Sequence, residues 1–140
     1  MKEILVPLDG SEKSWNSLEF AAEEFPTATF HVLHVIDPVE AGYTATATVP
    51  GYTEEWYEQA QDRADELFED AEAKIGDNSS LETATEMGRP SRVIVEYAEE
   101  HGIDQIVMGS HGRSGVSRIL LGSVAESVVR RSPVPVTIVR

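Results

Sequence analysis

The sequence lacks several features that would assign a protein to a class at once. Its 140 residues include no cysteine, and 11 lysines and arginines stand against 25 aspartates and glutamates. Without cysteine the chain forms neither disulfides nor thiolate metal sites, which suits a reducing cytoplasm. The net charge of −14 disfavours nucleic acid and anionic membranes as partners. A high-salt cytoplasm selects such an acidic excess, so we interpret the source as halophilic, with an ordinary acidic protein as the alternative.

Long hydrophobic runs are also missing. No segment approaches the length of a transmembrane helix. The first ten residues, MKEILVPLDG, contain too short an apolar stretch for a secretory signal, and Pro7 and Asp9 interrupt it. We therefore expect a cytoplasmic protein. The length suits one domain with a hydrophobic core, residues 1–140.

Two standard phosphate-binding motifs do not occur in the sequence. It contains no GxxxxGKS/T, and the first apolar run continues into PLDGSEKS rather than GxGxxG. Instead, the segment MGSHGRSGVSRILLGSVAES carries Gly109-x-x-Gly112, then nine residues, then Gly122-Ser123. Glycines at the start of a helix let backbone amides approach an anion closely. The segment therefore predicts an anion site, most simply for a polyphosphate.

Short apolar runs alternate with helical patterns along the chain. Predicted strands cover residues 4–8, 29–36, 81–87, 105–108 and 134–139. The first predicted helix follows Ser11, which can cap it. The other predicted helices run from Thr53 to about Ile75, begin at Pro90 and begin at Ser123. This alternation predicts an α/β fold with a parallel sheet and helices on both faces, because parallel strands need crossover connections.

The sequence resembles the universal stress protein family, whose nucleotide-binding members carry G-x2-G-x9-G-S/T. The glycine segment matches that pattern in spacing and residue type. The resemblance extends over nearly the whole chain, through ILVPLDGSEKS, LHVID, IVMGSHGRSG, LLGSVAESVVR and SPVPVTIVR. We accordingly expect an open five-stranded parallel sheet in the order 3-2-1-4-5, of the Rossmann-like or adenine nucleotide alpha hydrolase-like kind.

The resemblance implies a site for ATP, or for ADP or AMP, at the carboxyl ends of strands one and four. Pro7, Leu8 and Asp9 would line the adenosine, with Asp9 near the ribose. Val35 would contact adenine through its backbone. Three residues would shape the pocket: Met108, Gly109 and Gly112. Four would hold the phosphates, which Mg²⁺ or Mn²⁺ could bridge: Arg113, Gly122, Ser123 and Val124.

Other interpretations of the same residues remain open at this point. Asp9 follows a strand and could cap the first helix, and Arg113 could be a solvated loop residue. A hydrolase built on Ser110, His111 and Asp9 is disfavoured, since no nucleophile-elbow pattern occurs. The other histidines show no metal-ligand spacing; His31 and His34 are expected to pack in or beside the second strand.

The last strand is strongly apolar and has Pro133 and Pro135 inside or beside it, which predicts a sheet edge. An exposed apolar edge favours pairing with a second chain, and the resemblance also implies a homodimer through this strand, with Val136 and Ile138 in the interface. The alternative is a strand covered by the chain itself.

The function that we favour is an ATP-binding stress-response protein that changes conformation or partner with the nucleotide. No general base stands out, so any ATP hydrolysis is expected to be slow. The alternatives are a slow ATPase or nucleotidyl-transfer enzyme, and a dimeric interaction module without nucleotide.

Overall fold

The computed structural model describes residues 2–39, 54–76, 80–112 and 121–140. Strands and helices alternate along it. In chain order they are β1 (Glu3–Pro7), α1 (Glu12–Glu24), β2 (Thr29–Ile36), α2 (Glu54–Ile75), β3 (Ser80–Met87), α3 (Pro90–Glu100), β4 (Gln105–Gly109), α4 (Ser123–Arg131) and β5 (Val136–Val139). The predicted alternation is confirmed.

The five strands form one parallel sheet in the order β3-β2-β1-β4-β5, as predicted. The chain builds outward from β1 to β2 and β3, then returns to place β4 and β5 on the other side. The strand order therefore reverses between β1 and β4. In open α/β sheets, ligands bind beyond the carboxyl ends of the strands at such a reversal.

Two hydrophobic cores cover the two faces of the sheet, because successive strand residues point to opposite sides. Leu5 lies in the core that α3 and α4 cover. Its neighbours Ile4 and Val6 lie in the core that α1 and α2 cover. All three side chains are fully buried, so β1 is the centre of both cores.

Local signals set the ends of several elements. Ser11 caps α1 as predicted, since its hydroxyl oxygen accepts the amide hydrogen of Ser14 at 3.2 Å. Pro90 is the first residue of α3, where its missing N–H costs nothing. β5 begins at Val136, two residues later than predicted. Pro135 just before it has no N–H to donate, although its carbonyl accepts the amide of Ile106 at 2.9 Å.

Within the described residues, no helix is long and apolar enough to cross a membrane.

Candidate functional site

The carboxyl end of β1 is held by its neighbour β2. The Leu8 amide donates to the carbonyl of Leu33 at 2.9 Å, which continues the strand pairing by one residue beyond Pro7. The Leu8 side chain is 1% exposed and packs in the core under α1. Its carbonyl oxygen accepts a hydrogen bond from Nδ1 of His34 at 2.8 Å, which places a hydrogen on that nitrogen. The Leu8 amide thus holds the carboxyl end of β1 against β2, and His34 holds the Leu8 carbonyl in place.

His34 is a site residue that the sequence analysis missed. The sequence signal was a polar residue near the end of an apolar strand, directly before Val35. Val35 itself is half-buried and packs against the core under α3 and α4. Met108 belongs to the same core and is buried. Both therefore lie on the α3 and α4 face of the sheet at its carboxyl edge.

Asp9 joins the end of β1 to the start of α1. Its Oδ1 accepts the Ser11 amide hydrogen at 2.9 Å across a turn in which Gly10 has φ +86°. That φ favours glycine, because it lies in the left-handed region. The other carboxylate oxygen, Oδ2, lies 2.9 Å from where a Cβ atom at Gly112 would stand. Asp9 therefore orders the turn that leads into α1, whose N-cap is Ser11 rather than Asp9, and its second carboxylate oxygen faces the glycine motif.

The three motif glycines have different neighbours. A Cβ atom at Gly109 would lie 2.8 Å from the carbonyl carbon of Lys13, so this glycine lets α1 pack closely on the end of β4. A Cβ atom at Gly122 would lie 3.1 Å from the carbonyl oxygen of Ser110, which accepts the Gly122 amide at 2.7 Å. Gly112 instead faces the Asp9 carboxylate. The motif thus brings the carboxyl ends of β1 and β4 and the start of α4 together.

The N-terminus of α4 is arranged differently from that of α1. Gly122 occupies the capping position and provides no side-chain hydrogen bond to the first turn, which begins with Ser123 and Val124. The amides of a first turn have no partners within their own helix and carry the positive end of its dipole. This end of α4 therefore has the chemistry of an anion site.

Ser110 and His111 form a hydrogen-bonded pair beside this helix end. Ser110 Oγ lies 3.0 Å from Nδ1 of His111, which is hydrogen-bond distance. Ser110 is 1% exposed, however, and its backbone is held by Val139 and Gly122. A buried hydroxyl cannot reach a substrate, which argues against the hydrolase interpretation. Arg113, predicted to hold phosphates, lies outside the described residues.

Comparison with known proteins identifies the family of the chain. The sequence profile of the Universal stress protein family matches residues 1–140. The chain belongs to the universal stress protein family. Among its curated relatives in that family, universal stress protein MJ0531 of Methanocaldococcus jannaschii is 34% identical over 145 residues, which cover 99% of this chain and 82% of the relative.

Solved structures of universal stress proteins have the same fold. That of MJ0577, also from Methanocaldococcus jannaschii, is 32% identical, with a TM-score of 0.86 over 99% of this chain and 94% of that one. A universal stress protein in complex with cAMP is 26% identical, with a TM-score of 0.65 over 99% of this chain and 96% of that one. The Rossmann-like architecture predicted from the resemblance is therefore confirmed.

Proposed function

We propose that this universal stress protein binds an adenine nucleotide, ATP or else ADP or AMP, beyond the carboxyl ends of β1 and β4. The observation that carries the proposal is the meeting of Asp9, Gly112 and the N-terminus of α4 at the reversal of strand order. A related protein of this family that was solved with cAMP supports the same ligand class.

The phosphates would lie against the first-turn amides of α4. Those amides offer hydrogen bonds and a positive dipole end, and Ser123 adds a hydroxyl at the first helical position. In a chain of net charge −14, such local positive charge is needed to hold a polyphosphate. Arg113 would add a charge-assisted hydrogen bond to the phosphates.

The nucleoside would lie toward β1. The Asp9 carboxylate has the chemistry to accept hydrogen bonds from ribose hydroxyls, while Pro7 and the Val35 backbone line the adjacent strand ends. Asp9 and Ser123 offer oxygen atoms, which are the ligands that Mg²⁺ and Mn²⁺ prefer. These two side chains would hold such an ion, which would neutralise the charge of the phosphates.

The biological output of binding would be regulatory. β5 is an edge strand, so its outer backbone groups are available to a second copy of the chain, and Val136 and Ile138 lie half-buried along it. We infer a cytoplasmic homodimer whose two sites respond to nucleotide during stress. Any hydrolysis would be slow, because no general base stands out in the sequence.

Isothermal titration calorimetry with ATP, ADP, AMP and cAMP tests the proposal. Asp9→Asn removes the charge but keeps an oxygen for the Ser11 amide, so it should weaken ATP binding about tenfold or more without unfolding the protein. Gly112→Val should abolish binding, because its side chain would fill the space facing Asp9.

Asp104→Asn is the matched control. Asp104 also accepts a backbone amide hydrogen, from Glu3 at 2.8 Å, but it lies at the opposite edge of the sheet, so ATP binding should not change. If Asp9→Asn and Gly112→Val both bind ATP like wild type, the proposed location is wrong. A wild-type protein that binds none of the four nucleotides is instead an interaction module. Multiple turnovers that Asp9→Asn abolishes while binding persists would identify an ATPase.

A further inference from the structure

The amino-terminal edge of the sheet, opposite the nucleotide site, carries a second polar cluster. Glu3, His31 and Glu82 come from three adjacent strands, β1, β2 and β3. In the strand register His31 lies beside Glu82 and beside Leu5, two residues after Glu3. One imidazole nitrogen and one oxygen from each carboxylate lie within 4.8 Å of one another.

His31 is the centre of this cluster and is 4% exposed. Its Nε2 lies 2.9 Å from Oε1 of Glu3, and its Nδ1 lies 3.4 Å from Oε2 of Glu82. The hydroxyl of Tyr97 also lies 2.8 Å from Nδ1. The ring is therefore oriented by its neighbours before any ligand arrives, which reduces the entropy that binding would cost.

The surroundings of the cluster favour a cation. Within the described residues, the close contacts that the Glu3 and Glu82 carboxylates make with a basic side chain are both made with His31. Glu86 lies four residues beyond Glu82 on β3, so three carboxylates give this part of the sheet a negative potential. α3 also ends here at Glu100, and the C-terminus of a helix carries the negative end of its dipole.

We propose that Glu3, His31 and Glu82 bind a divalent first-row transition-metal ion such as Zn²⁺. Bonds of about 2.0 to 2.2 Å hold ligand atoms about 3 to 4.4 Å apart. Glu3 lies against Nε2 and Glu82 against Nδ1, so an ion at Nε2 requires the exposed Glu82 side chain to rotate toward it. One imidazole nitrogen and two carboxylate oxygens suit Zn²⁺, Mn²⁺ or Fe²⁺, and the Irving–Williams order places Zn²⁺ as the tightest of these three. With the ion at Nε2, Nδ1 keeps its hydrogen bond with the Tyr97 hydroxyl, which orients the imidazole ring.

Nothing in the sequence indicated this proposed site, because the histidines show no metal-ligand spacing. The ligands are far apart along the chain, and strand pairing alone brings them together. A bound ion would join β1, β2 and the edge strand β3. The metal site lies near the amino ends of its strands, whereas the proposed nucleotide site lies beyond the carboxyl ends of β1 and β4. The two sites would therefore bind their ligands independently.

Calorimetric titration of the nucleotide-free protein with Zn²⁺ tests the site. We expect one saturable site, and a rise in Tm of about 5 to 10 °C at a hundredfold excess over Kd. Glu82→Gln should weaken Zn²⁺ binding at least about tenfold, because it removes an anionic ligand. Glu82 is exposed, so this change should leave the fold intact.

Glu86→Gln is the matched control. Glu86 is also exposed on β3, four residues further on, and its replacement removes the same charge without removing a ligand. Zn²⁺ binding by this variant should equal that of wild type. The proposal is overturned if Zn²⁺ does not bind, or if the two variants lose affinity equally, since the protein then attracts the ion only through its general negative charge. ATP binding by Glu82→Gln should stay unchanged, which separates this test from that of the nucleotide site.

Discussion

Replacing Gly109 by alanine should destabilise the protein, whereas the same replacement at Gly112 should mainly weaken nucleotide binding. Neither glycine has a positive φ, so the available space decides the outcome at both positions. At Gly109 the new methyl group would lie 2.8 Å from the carbonyl carbon and from Cβ of Lys13, and 2.9 Å from its carbonyl oxygen. These atoms belong to α1 and move only if the helix moves.

The expected magnitude follows from that contact. Overpacking of this kind costs about 1 to 3 kcal/mol, and a rigid backbone neighbour points to about 3 kcal/mol. Alanine also lowers the entropy of the unfolded chain, which offsets about 0.4 to 1 kcal/mol. The net loss should be about 2 kcal/mol, or about 6 to 8 °C in Tm for a domain of this size. At Gly112 the new methyl group meets Oδ2 of Asp9, an atom that can rotate away, so stability should change by less than about 0.5 kcal/mol.

Urea unfolding of the nucleotide-free proteins, followed by circular dichroism, measures the difference. Isothermal titration calorimetry with ATP on the folded proteins measures the affinity for the nucleotide. Displacing the Asp9 carboxylate should make Gly112→Ala the weaker binder of the two variants. Equal stability of Gly109→Ala and wild type would refute the close packing of α1 on β4. Equal losses of stability in both variants would refute the assignment of different roles to the two glycines.

Two further predictions concern other parts of the molecule. Because the pKa of Tyr97 is raised in the folded state, the folded protein keeps a proton that the unfolded chain releases above about pH 10, so its stability should fall as the pH rises through that range. Between about pH 8 and pH 11, the free energy of unfolding measured in urea should fall less for Tyr97→Phe than for wild type, whereas Tyr57→Phe should show the wild-type fall. An equal fall in the free energy of unfolding of all three proteins would contradict this reasoning. Light scattering after size exclusion should give twice the mass of one chain for wild type and the mass of one chain for Ile138→Lys, provided that circular dichroism shows the variant folded, because the Ile138 side chain also packs against the core under α3 and α4. A folded Ile138→Lys dimer, with wild-type circular dichroism, would exclude this edge as the interface.

Much of the fold could be predicted from the sequence because its signals are local. The run from Thr29 to Ile36 is long and apolar, and β2 has those bounds. Ser11 was predicted as a cap from the helical pattern after it, and it caps α1. The glycine spacing located the start of α4 at Ser123. Each of these features depends on residues that are close in sequence.

The parts that sequence analysis missed depend on strand register. Nothing near His31 in the sequence indicates Glu3 or Glu82, which pairing brings beside it. The bond from His34 to the Leu8 carbonyl likewise joins residues 26 positions apart. The close approach of Gly109 to Lys13 of α1 is a third such contact, since the sequence indicated only a role in a ligand pocket. Packing between distant elements decided all three cases.

The two outer strands of the sheet have opposite chemistry, and this limits how large an assembly can grow by strand addition. The outer strand β3 exposes Glu82 and Glu86, so the β3 strands of two molecules would repel each other. The outer strand on the opposite side, β5, has the uncharged sequence VTIV. Contact between two β5 margins uses the same surface on both molecules and closes on itself under twofold symmetry. A dimer formed through β5 would present its two acidic β3 strands outward, and repulsion between such strands would oppose further growth into a fibre.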